Sequence, residues 1–127
     1  MVDDSKKILI AEDNLAISNV YKERLGALGY NVISASNGED LIDMAKSEIP
    51  DLIMLEIALP KKNGFEALIE LRADERLKRI PIFVISDEGS DDDIERVMQL
   101  GATLFFVKTK VHLVDIIQSI ESALEEK

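Results

Sequence analysis

The sequence predicts an α/β fold: a five-stranded parallel sheet of order 2-1-3-4-5, doubly wound, with helices on both faces in a three-layer α/β/α arrangement. Three observations predict it. Five short apolar runs are continuous rather than alternating, the pattern of strands buried on both faces. Segments of helical periodicity separate them, so β and α alternate strictly along the chain, as right-handed crossovers require. Five strands are also too few for a (β/α)8 barrel, which leaves the open sheet.

Each element can be justified in order. Lys7–Ala11 is the first apolar run. Ile17, Val20, Tyr21, Leu25 and Leu28 follow it at helical spacing, and Gly29 sits where that helix should stop. Asn31–Ser34 is the second strand, and Leu41, Ile42 and Ala45 mark the second helix. Pro50 stands where that helix must already have ended, before the strand Leu52–Leu55. Phe65, Leu68 and Leu71 give the third helix, and Pro81 opens the strand Pro81–Ile85. Ser90 before Asp91-Asp92-Asp93 is a capping residue followed by acids that favour a helix N-terminus. Ile94, Val97 and Met98 continue that helix, and Gly101 closes it. Leu104–Val107 is the fifth strand. Leu113, Ile116, Ile117, Ile120 and Leu124 form the cleanest stripe of all. Met44, Met54 and Met98 fall at expected core positions. No linker or repeat interrupts the pattern, so residues 1–127 read as one domain with its core at about 6–125.

Composition narrows the function. The chain has 127 residues, 46% of them apolar, with 25 acidic against 15 basic side chains and a net charge of −10. The apolar fraction excludes disorder despite the charge. No apolar run approaches the roughly 18 residues of a membrane span. The N-terminus, Met1–Lys7, is polar and carries no signal-peptide core. Cysteine is absent, which excludes disulfides and thiolate metal sites. A cytoplasmic location is therefore expected. The acidity argues against nucleic-acid binding, and neither a DNA-binding segment nor a membrane contact is expected on this chain.

In a doubly wound sheet, sites form beyond the carboxyl ends of the strands, near the switch between strands 1 and 3. Strand 1 ends in Glu12-Asp13-Asn14, strand 3 in Glu56, strand 4 in Ser86 and strand 5 in Lys108. Three carboxylates, a hydroxyl and an ammonium are thus expected at one edge. Such carboxylates repel unless a cation or a proton intervenes. Lys108 offsets one charge, and Mg²⁺ suits an oxygen-rich site of this kind.

These residues resemble the receiver domain of two-component signalling, a CheY-like member of the flavodoxin-like folds. The likeness rests on Glu12-Asp13 after strand 1, on Pro50–Pro60 with Glu56 within it, on Gly64 eight residues further, on Ser86 and on Lys108. It covers nearly the whole chain. What it implies is a conformational switch rather than a metabolic enzyme. Phosphoryl transfer would come from a sensor histidine kinase or phosphotransfer protein to the residue after strand 3, a self-modification. Glu12 and Asp13 would hold Mg²⁺ with Glu56 and the Ala58 carbonyl. Ser86 would be the switch hydroxyl and Lys108 the phosphate-binding lysine. A downstream protein would read the face of helix 4, strand 5 and helix 5.

The sequence departs from that pattern in three places. Glu56 stands where the family has the phosphoacceptor aspartate, one methylene and about 1.5 Å longer. Misplacing a reacting group by about 1 Å costs on the order of a hundredfold in rate. Weak or absent phosphotransfer is expected, with partial mimicry of the phosphorylated state, because one carboxylate charge stands in for a phosphate's two. The bland alternative is that Glu56 is a drifted or engineered residue without signalling consequence. Second, Thr109-Lys110 replaces the family's proline after the lysine, so a trans peptide is expected there. Lys110 either pairs with Glu56 or, as expected here, points into water. Third, the switch aromatic is Phe105, with no hydroxyl. It either moves between inner and outer positions, with the small Ser86 favouring the inner one, or is simply one of two strand residues beside Phe106.

Other features carry less. His112 reads as a surface residue at the start of the last helix. Six acids lie between Asp87 and Glu95, a run that lacks EF-hand spacing and caps helix 4. Lys61-Lys62-Asn63 either steers an acidic partner or is a solvated loop. Glu121, Glu125 and Glu126 lie on or after the solvated side of helix 5. Two rival functions remain. A flavodoxin-like cofactor site is disfavoured by the acidic, glycine-free loop Glu12-Asp13-Asn14, and an aspartyl-type phosphatase by Glu56. A phosphorylation-independent interaction module is compatible with the receiver reading.

Overall fold

The computed structural model describes residues 5–87 and 89–125. The polar N-terminal residues 1–4, Glu88 of the acidic run, and Glu126 lie outside them. The order is β1 (Lys7–Ala11), α1 (Leu15–Ala27), β2 (Asn31–Ala35), α2 (Gly38–Glu48), β3 (Leu52–Glu56), α3 (Gly64–Ala73), β4 (Ile82–Ser86), α4 (Asp91–Gln99), β5 (Leu104–Val107) and α5 (Leu113–Leu124). All strands are parallel and ordered β2-β1-β3-β4-β5, as expected. Three strands differ in their bounds from the apolar runs, β3 by taking in Glu56. β2 continues to Ala35, and β4 begins after Pro81, which has no N–H for the ladder, and takes in Ser86.

Alternation along the buried strands builds two cores, one per face. Leu9, Ala11, Ile53, Leu55, Ile82 and Val84 pack with residues of α2, α3 and α4. Ile8, Ile10, Leu52, Met54, Phe83 and Ile85 pack with residues of α1 and α5. Every residue of the central strand β3 is buried, Glu56 included.

Four of the five helix starts are capped by side chains. Asn14, Asn37, Asn63 and Ser90 each accept a hydrogen bond from the backbone N–H three residues on, and Asn63 completes a capping box with Glu66. Gly29 and Gly101 adopt φ of 98° and 109° at the ends of α1 and α4. α2 ends less comfortably, with the β-branched Ile49 at φ 43°. Four expected core residues are not core, among them Leu104, exposed at the start of β5. Val20 faces outward beside buried Tyr21, Leu28 is the C-cap beyond α1, and Met98 lies on the solvent side of α4, whose buried residue is Val97. Met54 is buried and Met44 half-buried.

Arg72, near the end of α3, ties together the turns below the amino ends of β4 and β5. Its guanidinium donates to the carbonyls of Gly101 at 2.9 Å, Leu77 at 3.2 Å, Lys78 at 3.0 Å and Ile80 at 2.7 Å.

Candidate functional site

Parallel register brings the carboxyl ends of β1, β3, β4 and β5 to one edge. Glu12 follows β1, Glu56 ends β3, Ser86 ends β4 and Lys108 follows β5. Lys108 is aimed by its backbone, which donates from its N–H to the Ser86 carbonyl at 2.8 Å. Its ammonium donates to Glu12 Oε1 at 2.7 Å. It also lies 3.5 Å from Glu56 Oε2 and 3.9 Å from Asp87 Oδ1. The other Glu12 oxygen accepts the Asn14 N–H at 3.1 Å. Glu12 is thus fully engaged, and both glutamates are buried, at 6% and 5% exposure.

Glu56 is not fully engaged. Its Oε2 is buried and accepts no hydrogen bond from any protein group, so the 3.5 Å approach of Lys108 is an electrostatic contact. Burial pushes the Glu56 carboxyl up from 4.5 to about 7; Lys108 opposes this, and the charges of Glu12 and Asp87 reinforce it. Burial pulls the Lys108 ammonium down, but the Glu12 hydrogen bond and the surrounding carboxylates outweigh it, and the net direction is up. Beneath the two glutamates, Tyr21 and Met54 help wall a cavity of about 10 Å³, the room of one water at most. Burial also raises the Tyr21 phenol.

The close seat of α3 fixes the end of β3. Gly64 N–H donates to the Ile57 carbonyl at 2.7 Å, and a Cβ at Gly64 would lie 2.8 Å from the Glu56 carbonyl oxygen. Here glycine answers a lack of space.

Of the residues expected at this edge, Glu12, Glu56 and Lys108 are brought together, and Ser86 is half-buried beside them on β4. Asp13 and Ala58 are exposed. Consecutive side chains diverge, so Glu12 turns inward and Asp13 outward. Among the described residues, no three acidic or histidine side chains are grouped to hold a metal ion. The donor set is nonetheless all oxygen, as a hard cation requires, and the orphaned Glu56 oxygen is an acceptor that a cation would satisfy. Magnesium fits the chemistry of this edge, where the Lys108 ammonium now meets Glu12.

Lys110 and His112 are exposed, His112 as the N-cap of α5 without a side-chain cap bond. Among the described residues no peptide is cis. Lys62 is tied to Glu70 at 2.6 Å, which leaves Lys61 as the exposed cation of that loop. Phe105 and Phe106 are both half-buried, on opposite faces. Phe105 packs against the core containing Val84 and Val97, and Phe106 meets Phe83 edge-on at 5.8 Å. Sequence reasoning missed Asn14, Tyr21 and Asp87 as site residues. Tyr21 lies on the buried stripe of α1 and Asp87 in a capping run, so neither carries a local mark of this role. Asn14, beside Glu12, could have been found as the N-cap of α1.

Known proteins place this architecture. Residues 8–121 match the response regulator receiver domain. The polar-differentiation response regulator DivK of Brucella anthropi is 31% identical over 119 residues, spanning 94% of this chain and 96% of that protein. The receiver domain of the sensor histidine kinase PA1611 from Pseudomonas aeruginosa, solved with a magnesium ion coordinated in its active-site cleft, superposes with a TM-score of 0.83. It is 26% identical and covers 93% of this chain and 96% of its own. The chemotaxis protein CheY4 of Vibrio cholerae shares the fold with a TM-score of 0.87 at 24% identity, over 94% of this chain and 99% of its own. The chain belongs to the response regulator receiver family.

Proposed function

From that membership we propose that the chain is a signalling switch in which Glu56 replaces the phosphoacceptor aspartate and partly imitates the phosphorylated state. One observation carries the reading: a buried Glu56 carboxylate reaches from the end of β3 to within 3.5 Å of the Lys108 ammonium. Glu56 is too long to place a phosphoryl group where an aspartate would, so phosphotransfer from a histidine kinase or phosphotransfer protein is weak or absent. Any that occurs is self-modification, with Glu56, Ser86 and Lys108 as its participants. The mimicry is incomplete, because one charge stands in for two.

Glu12, Asp13, Glu56 and the Ala58 carbonyl are the residues that would hold Mg²⁺. Bound there, it would neutralise the carboxylates and the charge developing on phosphoryl oxygens. Glu12 holds Lys108 in place, and Ser86 provides the hydroxyl beside it. The message leaves through Phe105 and the face of α4, β5 and α5 to a downstream protein in the cytoplasm, with Lys110 exposed beside it.

The test compares binding of a partner to this chain and to Glu56→Asp, with and without acetyl phosphate and Mg²⁺. Binding by the untreated chain, unchanged by the donor, supports mimicry. Binding by the phosphorylated Glu56→Asp variant alone removes it. A rapid stoichiometric phosphoryl adduct on Glu56, read by intact mass, removes the loss of acceptor function. One observation favours a second reading, a phosphorylation-independent interaction module without mimicry. A carboxyl pushed to about 7 is half-protonated near neutrality, which halves the charge that mimicry relies on.

A further inference from the structure

Phe105 of β5 sits inward. Its backbone is paired with Val84, and its ring packs against the core that includes Val84 and Val97. Over the ring lies Gly89. A Cβ at Gly89 would stand 2.8 Å from Phe105 Cε1, 3.2 Å from its Cζ and 3.0 Å from Val107 Cγ2. Carbon atoms in contact prefer about 3.5–4.0 Å, so no side chain fits between the loop and the ring as they stand.

The reason for glycine here is space. A methyl group at position 89 would collide most closely with the far end of the Phe105 ring, which can yield by turning about χ1 towards solvent, and next with Val107 Cγ2. The chain that follows Gly89 is anchored and cannot easily rise instead. Ser90 caps α4 by accepting the Asp93 N–H at 3.1 Å, and Arg96 of α4 stacks on the Phe65 ring of α3 at 4.0 Å.

We propose that Gly89 is a positioning residue of this switch: the missing side chain holds open the slot that lets Phe105 occupy its inner position. The inner position is then set by Gly89 above the ring as well as by the side chain at position 86. The inference takes its meaning from the receiver reading and is independent of mimicry by Glu56.

The test uses the full chain labelled with 4-fluorophenylalanine, the Phe105 ¹⁹F resonance being assigned through Phe105→Leu. Gly89→Ala is expected to move the Phe105 resonance towards the value of free fluorophenylalanine while the Phe83 resonance stays in place. An unmoved Phe105 resonance overturns the proposal. Gly89→Ala is also compared in the wild-type and Phe105→Ala backgrounds by urea denaturation. Loss of most of its destabilisation in the Phe105→Ala background supports the proposal, including where Gly89→Ala alone fails to fold and the double variant recovers. An equal cost in both backgrounds overturns it. Glu56→Ala forms the separate arm. If it leaves the Phe105 resonance unmoved while Gly89→Ala shifts it, mimicry through Phe105 fails and the role of Gly89 stands.

Discussion

Arg72 and Lys108 are partly buried cations at opposite ends of the same sheet, and the structure satisfies them by different means. Arg72 lies below the amino ends of β4 and β5 and faces neutral carbonyls. Its fork geometry meets four of them at 2.7–3.2 Å. Lys108 lies above the carboxyl ends and faces carboxylates: Glu12 at 2.7 Å, Glu56 at 3.5 Å and Asp87 at 3.9 Å. One cation is offered dipoles that match its donors. The other is offered more negative charge than it can neutralise, and a buried oxygen of Glu56 is left without a donor. The first arrangement is complete and holds turns together. The second is incomplete and is open to a proton, a metal or a phosphate. Incompleteness is what separates the carboxyl edge from the amino edge.

Removing each cation should break that comparison most sharply. Lys108→Met leaves two buried carboxylates opposed by nothing and is expected to cost about 3–5 kcal/mol in urea denaturation at pH 8. At pH 5 the cost should shrink, because Glu56 can take a proton there. Arg72→Met should cost about 2–3 kcal/mol through its unsatisfied carbonyls, and equally at both pH values. A pH-independent Lys108→Met, or a pH-dependent Arg72→Met, would contradict the contrast.

Glu56→Gln sharpens it. The Glu56 carboxyl rises from 4.5 to about 7 on folding. The folded state therefore binds the proton more tightly than the unfolded chain. That contribution is present in full below pH 4.5 and is lost as pH rises through 7. Glutamine keeps the shape and has no charge to bury. The variant should be about 3 kcal/mol more stable than the parent at pH 8, the linkage value of the shift, in which the attraction of Lys108 is already included. The gain should vanish near pH 4.5. Stability curves of the two proteins that run parallel from pH 4.5 to 8 would refute the raised carboxyl.

The smallest expected effect lies at the other edge. Ile49 ends α2 at φ 43°, where a β-branched side chain crowds its own backbone. Ile49→Gly should stabilise by about 1 kcal/mol at every pH, since no charge is involved. Equal or lower thermal stability would show that the isoleucine side chain contributes more than its strain costs.

Much of this was legible in residue order because it is local. Continuous apolar runs gave the strands, and Ser90, Gly29 and Gly101 punctuated the helices where expected. Parallel order then brought Glu12, Glu56 and Lys108 to one edge. What was not legible depends on direction or distance. Asp13 neighbours Glu12 in sequence yet faces solvent, because adjacent side chains part company. Val20 and Met98 satisfy a helical stripe that is wider than the face actually covered. Tyr21 serves the core and walls the site at once, and a periodicity cannot separate the two. The four carbonyls of Arg72 come from two turns that no spacing rule connects.

The seat of Gly64 against Glu56 has a mechanical consequence. With α3 pressed on the carbonyl of residue 56, the end of β3 behaves like a clamped ruler: its zero cannot slide back. Every bond added to the side chain is therefore delivered forward as reach. Asp, Glu and their amides at this one position form a graduated scale, with length and charge as separate dials. On that scale, a single methylene carries the carboxyl about 1.5 Å further forward.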